Sequence, residues 1–255
     1  MSELLYGRNA VREALRAHRR RFELMQVSAG AQETGTLADV IKLAEQANIP
    51  IERIDRRMLD KQVRDANHQG VILTASDYPY AELDECLARA DEQREPALLL
   101  LLDHLQDPQN IGTLLRTAEV VGVHGVLLPT RRAAGITAAV VNASSGATEH
   151  LLIVTIGNLA QTIVELQRSG IWVVGLEDDP EAALIEEVDF KVPLALVVGA
   201  EGSGLARLTR ERCDYLVRLP MRGHIQSLNA AVAGSVALYH AFQTRGSHTH
   251  TGRTA

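Results

Sequence analysis

From Leu98 onward the chain alternates short apolar runs with helical patterns, and that alternation leaves few folds open to it. Runs at 98–102, 124–128, 171–176, 194–198 and 215–219 have strand length and are bounded by turn residues, so they read as buried strands. Interspersed with them, 110–121, 158–168 and 227–242 carry apolar residues at helical spacing. Strands that are apolar on both faces and alternate with helices call for a mainly parallel sheet covered by helices on both sides. The fold class expected is therefore α/β.

The first 76 residues are patterned differently. Gly7 to Ala17 suits a helix with Ala10, Val11, Ala14 and Leu15 on one face, Phe22 to Ser28 a strand, Leu37 to Ala47 a helix, and Gln69 to Thr74 a strand. This predicts a small N-terminal α/β domain over residues 1–76. Residues 77–96 hold seven acids against two arginines and end in Pro96, which reads as an acidic linker with room for a short helix. The larger domain then occupies 97–245, and 246–255 reads as a frayed tail whose two histidines are solvated.

No apolar run reaches membrane-spanning length, and the N-terminus lacks the pattern of a secretory signal. The two cysteines, Cys86 and Cys213, are far apart, so neither a disulfide framework nor a zinc site is expected, and a reducing cytoplasm is the default. The net charge of −6 argues at first against a nucleic-acid partner. Its distribution does not, because acids concentrate in 77–96 and 177–189, and residues 1–76 carry twelve Lys/Arg against ten Asp/Glu. Two basic groups there, Arg16 to Arg21 and the set Arg53, Arg56, Arg57, Lys61 and Arg64, are phosphate-contact candidates, with a solvated face as the equal alternative.

Three segments carry chemistry. Asp107-Pro-Gln-Asn110 leads into a helix after the buried run 98–102, Asn110 being a residue type favoured at N-caps. Gly112 is suited to letting the first turn approach a ligand, and Arg116, under two turns on, borders the same helix mouth. Gly199-Ala-Glu-Gly-Ser-Gly204 follows the strand at 194–198. Its spacing and late position do not fit a dinucleotide-binding loop. It suits instead a loop whose backbone clasps a polar ligand, with Glu201 inside it. Leu219-Pro-Met221 closes the last strand, and Ser227-Leu-Asn229 opens the final helix, with Ser227 as a natural N-cap. The intervening His224 reads as an exposed loop histidine.

These three segments, in this order, resemble the motifs of the SpoU (TrmH) branch of the knotted RNA methyltransferases. Tyr6-Gly-Arg-Asn-Ala-Val-Arg-Glu-Ala-Leu and His68-Gln-Gly-Val extend the resemblance over nearly the whole chain, toward enzymes that methylate a guanosine ribose of 23S rRNA. The resemblance implies a deep trefoil knot in the second domain, S-adenosyl-L-methionine as cofactor, no metal, homodimers with the site near the dimer interface, and RNA gripped by the first domain. By motif position it assigns Gly199, Leu219, Met221 and Leu228 to cofactor binding. Asn110, Arg116, Glu201, Ser227 and Asn229 fall at catalytic and RNA-positioning places. Ala231 stands where many relatives have a second serine. A tRNA-ribose or resistance-type rRNA enzyme, and a non-catalytic knotted assembly protein, are the alternatives; the 76-residue first block argues against the tRNA type, and the intact polar set against the non-catalytic one.

Overall fold

The computed structural model describes residues 2–64, 66–130, 135–225 and 227–246; most of the tail lies outside the described residues, as does Gln226. The first sheet contains β1 (Ser2–Tyr6), β2 (Phe22–Ser28), β3 (Ile51–Ile54) and β4 (Val71–Ser76) in the order β1-β4-β2-β3. Both β1 and β2 run antiparallel to β4, while β3 is parallel to β2. Helix α1 (Arg8–Ala17) buries Ala10, Val11, Ala14 and Leu15, the face its spacing predicts, and α2 (Thr36–Gln46) buries Leu37, Val40, Ile41 and Ala44. Helix α3 (Arg56–Gln62) is capped by the Asp55 carboxylate and buries only Leu59.

Residues 77–96 contain α4 (Leu83–Gln93), whose Cys86 is buried against the second sheet. That sheet comprises β5 (Leu98–Leu102), β6 (Gly125–Pro129), β7 (Ile153–Ile156), β8 (Trp172–Leu176), β9 (Ala183–Leu184), β10 (Leu194–Val198) and β11 (Tyr215–Arg218). Its order is β7-β6-β5-β10-β8-β11-β9, and every pairing is parallel. The helices between are α5 (Pro108–Val120), α6 (Ala138–Ala143), α7 (Leu159–Arg168), α8 (Arg207–Arg212) and α9 (Ala230–Arg245). All five leucines of β5 are buried: Leu98, Leu100 and Leu102 join one apolar cluster, Leu99 and Leu101 the other. This is why the strand is an unbroken apolar run, since both of its faces are covered.

Two late strands enter gaps between earlier ones, β10 between β5 and β8, and β11 between β8 and β9. Such interleaving is what a knotted path demands. It also brings the chain leaving β10 and the chain leaving β11 to the carboxyl end of the sheet, beside the start of α5.

The two sheets are locked through α6 and the short helical turn that follows it. The Arg20 side chain is fully buried, with Nε and Nη2 donating to the two oxygens of Glu149 at 3.0 and 2.8 Å and Nη1 to Glu3 at 2.6 Å. Its guanidinium lies 4.9 Å from the Tyr78 ring centroid. Burial works against the charge, but Glu149 and Glu3 outweigh it and hold the Arg20 pKa above its ordinary value. Arg19 donates to the carbonyls of Leu151 and Pro79. Half of the basic cluster at 16–21 is therefore spent on joining the domains. Glu149→Leu should strand this buried guanidinium and cost about 3–5 kcal/mol of stability, read as a loss of denaturation midpoint; an unchanged midpoint would show that the pair is not holding the domains.

Candidate active site

Helix α5 starts at Pro108, and its N-cap is Asp107, whose carboxylate accepts from the Gln109 N–H at 3.1 Å. Asn110, expected as the cap, is instead the third helical residue. Pro108 fits the first helical position, where no N–H is needed, so the cap moves to the residue before it. This frees the Asn110 side chain, which donates from Nδ2 to Glu201 Oε2 at 3.1 Å.

The last helix makes the matching correction. Ser227 is not its cap; Asn229 is, with Oδ1 accepting from the N–H groups of Ala231 and Val232 at 3.0 and 3.2 Å. The Nδ2 of the same amide donates to Asn110 Oδ1 at 3.0 Å and to Glu201 Oε2 at 3.1 Å. One residue from each motif thus meets in a closed cluster of Asn110, Glu201 and Asn229. Close approach of α9 to α5 makes this possible, since a Cβ at Gly234 would sit 2.5 Å from Leu114 Cδ2.

The glycine loop is folded by its own glycines. Ala200 and Gly204 exchange backbone hydrogen bonds of 3.1 and 3.0 Å, and a Cβ at Gly199 would lie 2.3 Å from the Gly204 carbonyl carbon. Gly204 has φ +62° and abuts the Glu177 carboxylate, which also accepts from the Leu205 N–H at 3.1 Å. Asp103, fully buried directly after β5, accepts from the Ala206 N–H at 2.8 Å and pairs with His104. Among the described residues, the backbone N–H groups of Glu201, Gly202 and Ser203 have no partner. Asp103 and Glu177 were missed by sequence reasoning; an acid closing an otherwise apolar strand was the available signal. Gly112 serves packing, not a ligand: its Cβ would lie 2.4 Å from Ala143 Cβ.

A cavity of about 340 Å³ opens between the two loops, within the range of small-molecule sites. Gly199, Leu219, Met221 and Leu228 line it, as do Glu201 and Ser227. Three carboxylates, Glu177, Asp178 and Glu201, face it, with no lysine or arginine in the lining among the described residues. Apolar side chains, free backbone groups and negative charge together suit a cationic ligand that also carries a flat, polar-edged ring. Arg116 is not in this lining; it is exposed, and its Nη1 donates to Ser145 Oγ at 3.3 Å. Nothing brings His224, which is exposed, into the polar cluster. Burial pushes the thiols of Cys86 and Cys213 up to about 11 and about 12, so neither is a thiolate nucleophile.

Comparison with known proteins agrees with this geometry. Residues 97–239 match the SpoU rRNA Methylase family, and residues 4–81 match the RNA 2'-O ribose methyltransferase substrate binding family. The TrmH family tRNA/rRNA methyltransferase YacO of Bacillus subtilis is 41% identical over 243 residues, spanning 95% of this chain and 96% of the relative. A Staphylococcus aureus relative of the same family is 38% identical over the same spans. The SpoU methyltransferase AviRb from Streptomyces viridochromogenes, solved with AdoMet, superimposes with a TM-score of 0.79 at 25% identity, covering 96% of this chain and 90% of AviRb. Fold and site together define an S-adenosylmethionine-dependent RNA methyltransferase. The chain belongs to the SpoU family, in its TrmH group, and the α/β class with a parallel sheet is the one its sequence pattern led us to expect.

A side chain at position 199 cannot fit against Gly204, so Gly199→Ala must open the loop. Its affinity for S-adenosylmethionine should fall at least about ten-fold, roughly 1.4 kcal/mol, with little change in melting temperature; calorimetric titration reads this directly, and unchanged affinity would remove the loop from the cofactor site.

Proposed function

We propose that the protein methylates a ribose 2′-hydroxyl of RNA, at a guanosine of 23S rRNA, and that it works as a homodimer. The observation that carries this reading is the carboxylate-lined cavity beside the Asn110–Glu201–Asn229 cluster, on a chain whose residues 4–81 match a 2'-O ribose methyltransferase substrate-binding family. The rRNA assignment is favoured by extent. Residues 97–239 match the SpoU rRNA Methylase family, whereas the Aquifex aeolicus TrmH/SpoU tRNA modifying enzyme covers only 64% of this chain. A cytoplasmic location accompanies this reading.

The residues fit the cofactor. Gly199, Leu219, Met221 and Leu228 would hold it, largely through backbone groups, and the three carboxylates favour its positive charge. When bound, S-adenosylmethionine supplies a methyl group on a sulfonium, ready for in-line attack. The protein's task is alignment, which alone accounts for much of the acceleration in such reactions. Asn110, Glu201 and Asn229 hold the two loops and α5 in one arrangement, and Ser227 offers a hydroxyl at the cavity edge. A guanidinium is a hydrogen-bond donor and a cation with no acceptor to offer, so Arg116 acts as an electrostatic stabiliser of the incipient ribose alkoxide and the adjacent phosphate. The RNA is gripped by the N-terminal domain, residues 1–76, separated by 77–96 from the methyltransferase domain at 97–245. On α3 and the turn after it, Arg56, Arg57, Lys61 and Arg64 are exposed and make no ion pair among the described residues, which suits phosphate contacts.

Dimerisation is supported by α9. Val232, Val236 and Tyr239 form one stripe and are 46%, 46% and 45% exposed, an apolar face beside the cofactor loops. Val236→Glu should convert a sedimenting dimer to monomers and abolish turnover; a wild-type protein that sediments as a monomer would sink this part of the reading.

The function itself is tested by incubating the protein with methyl-labelled S-adenosylmethionine and unmodified large-subunit rRNA or tRNA, then mapping resistance to alkaline cleavage. One protected guanosine in the rRNA is expected. Label in tRNA alone would overturn the target, and no transfer to either would favour a non-catalytic assembly role. Arg116→Ala should abolish transfer while leaving cofactor affinity near wild type, and a parallel collapse of binding would make Arg116 structural.

A further inference from the structure

We infer that Ser145 is a positioning residue for Arg116, held in place by the N-terminal domain. The inference rests on the reading of Arg116 given above. Ser145 Oγ accepts from Arg116 Nη1 at 3.3 Å, and this is the one hydrogen bond of that guanidinium among the described residues. The remaining N–H groups of Arg116 are free for substrate.

The backbone at Ser145 shows that this hydroxyl is costly to place. Its φ is +56°, the left-handed region in which a non-glycine residue costs roughly 1–2 kcal/mol, and the next residue, Gly146, has φ +88°. Glycine would occupy position 145 without strain, and asparagine with little. Backbone hydrogen bonds fix the turn: Ser145 N–H donates to Asn142 O and Gly146 N–H to Val141 O, each at 2.9 Å.

Both sides of the turn are gripped. On one side, Ala143 and Ser144 press on Gly112 of α5, where an added Cβ would meet Ala143 Cβ at 2.4 Å and the Ser144 nitrogen at 2.8 Å. Gly112 lies just over one helical turn before Arg116 on the same helix. On the other side, a Cβ at Gly146 would meet Glu13 Cβ at 2.7 Å and Ala10 Cα at 3.2 Å, so α1 lies directly against the turn. Asn142 Nδ2 donates to Tyr6 O at 2.9 Å, and Glu13 and His150 approach to 3.1 Å. Ser145 therefore sits at the top of a wedge between the first domain and α5. A wedge packed on both faces holds its hydroxyl in place, and the arginine hydrogen-bonded to it is biased toward one arrangement before RNA arrives. Such pre-ordering removes an entropic cost that a free arginine would meet in every turnover.

Two variants separate the hydroxyl from the turn. Ser145→Gly removes the hydroxyl and the left-handed strain together; Ser145→Ala removes the hydroxyl and keeps the strain. Both should lower kcat by about 10- to 100-fold, the worth of a hydrogen bond to a charged group. Cofactor affinity and KM for RNA should stay near wild type, and the melting temperature of Ser145→Gly should hold or rise. Wild-type kcat in both variants, with Arg116→Ala inactive, would overturn the role of Ser145 and leave Arg116 in place. A fall in cofactor affinity or melting temperature parallel to kcat in Ser145→Gly would make the serine a structural part of the turn. Full turnover in Arg116→Ala would instead refute the reading of Arg116 on which the inference stands.

Discussion

The site depends on one amide. Asn229 uses its oxygen to cap α9 and its nitrogen to reach Asn110 and Glu201, so the start of a helix, a glycine loop and a second helix are tied at one point. Neither half of the amide can be spared. Aspartate would cap the helix but could not donate, and it would set a second carboxylate against Glu201. The cluster also explains why Asn110 is not a cap itself: Asp107 and Pro108 take over that task, and the freed side chain completes the cluster. The two loops that line the cavity are thereby given a fixed edge.

The second constraint is the joint between the domains. Arg20, Glu149, Glu3 and Tyr78 form a buried unit in which each charge is partnered, and it lies on the same segment that carries Ser145. A lone buried guanidinium would be expensive, and the bidentate pair with Glu149 is what makes its burial tolerable. The domain that matches an RNA substrate-binding family is thus docked on the turn that approaches Arg116.

Much of this was legible in the residues. Strands β5 and β10 announced themselves because both faces are covered, which leaves unbroken apolar runs, while β6, β8 and β11 were legible from shorter apolar stretches between turn residues. Strands β1, β3, β7 and β9 did not. They are short, and β1, β3, β7 and β9 are the edges of their sheets, where one side lacks a neighbour and the pattern is weak. The glycine loop and the two asparagines were visible as motifs. The caps lie at Asp107 and Asn229, three residues before Asn110 and two after Ser227, because capping depends on which of several suitable residues the backbone reaches. Gly112 was read as making room for a ligand, yet its space is filled by α6, which no local pattern revealed.

The sequence by itself determined the class of sheet, the residues available for chemistry and their order along the chain, since periodicity and side-chain chemistry are local properties. Only the tertiary structure decided that Asn110, Glu201 and Asn229 share hydrogen bonds across 91 and 119 residues of chain. It alone decided that Arg20 leaves the basic surface for the interior, and that Ser145 meets Arg116. Those outcomes follow from strand order and helix packing, and distance in space between remote residues is set by the path of the whole chain.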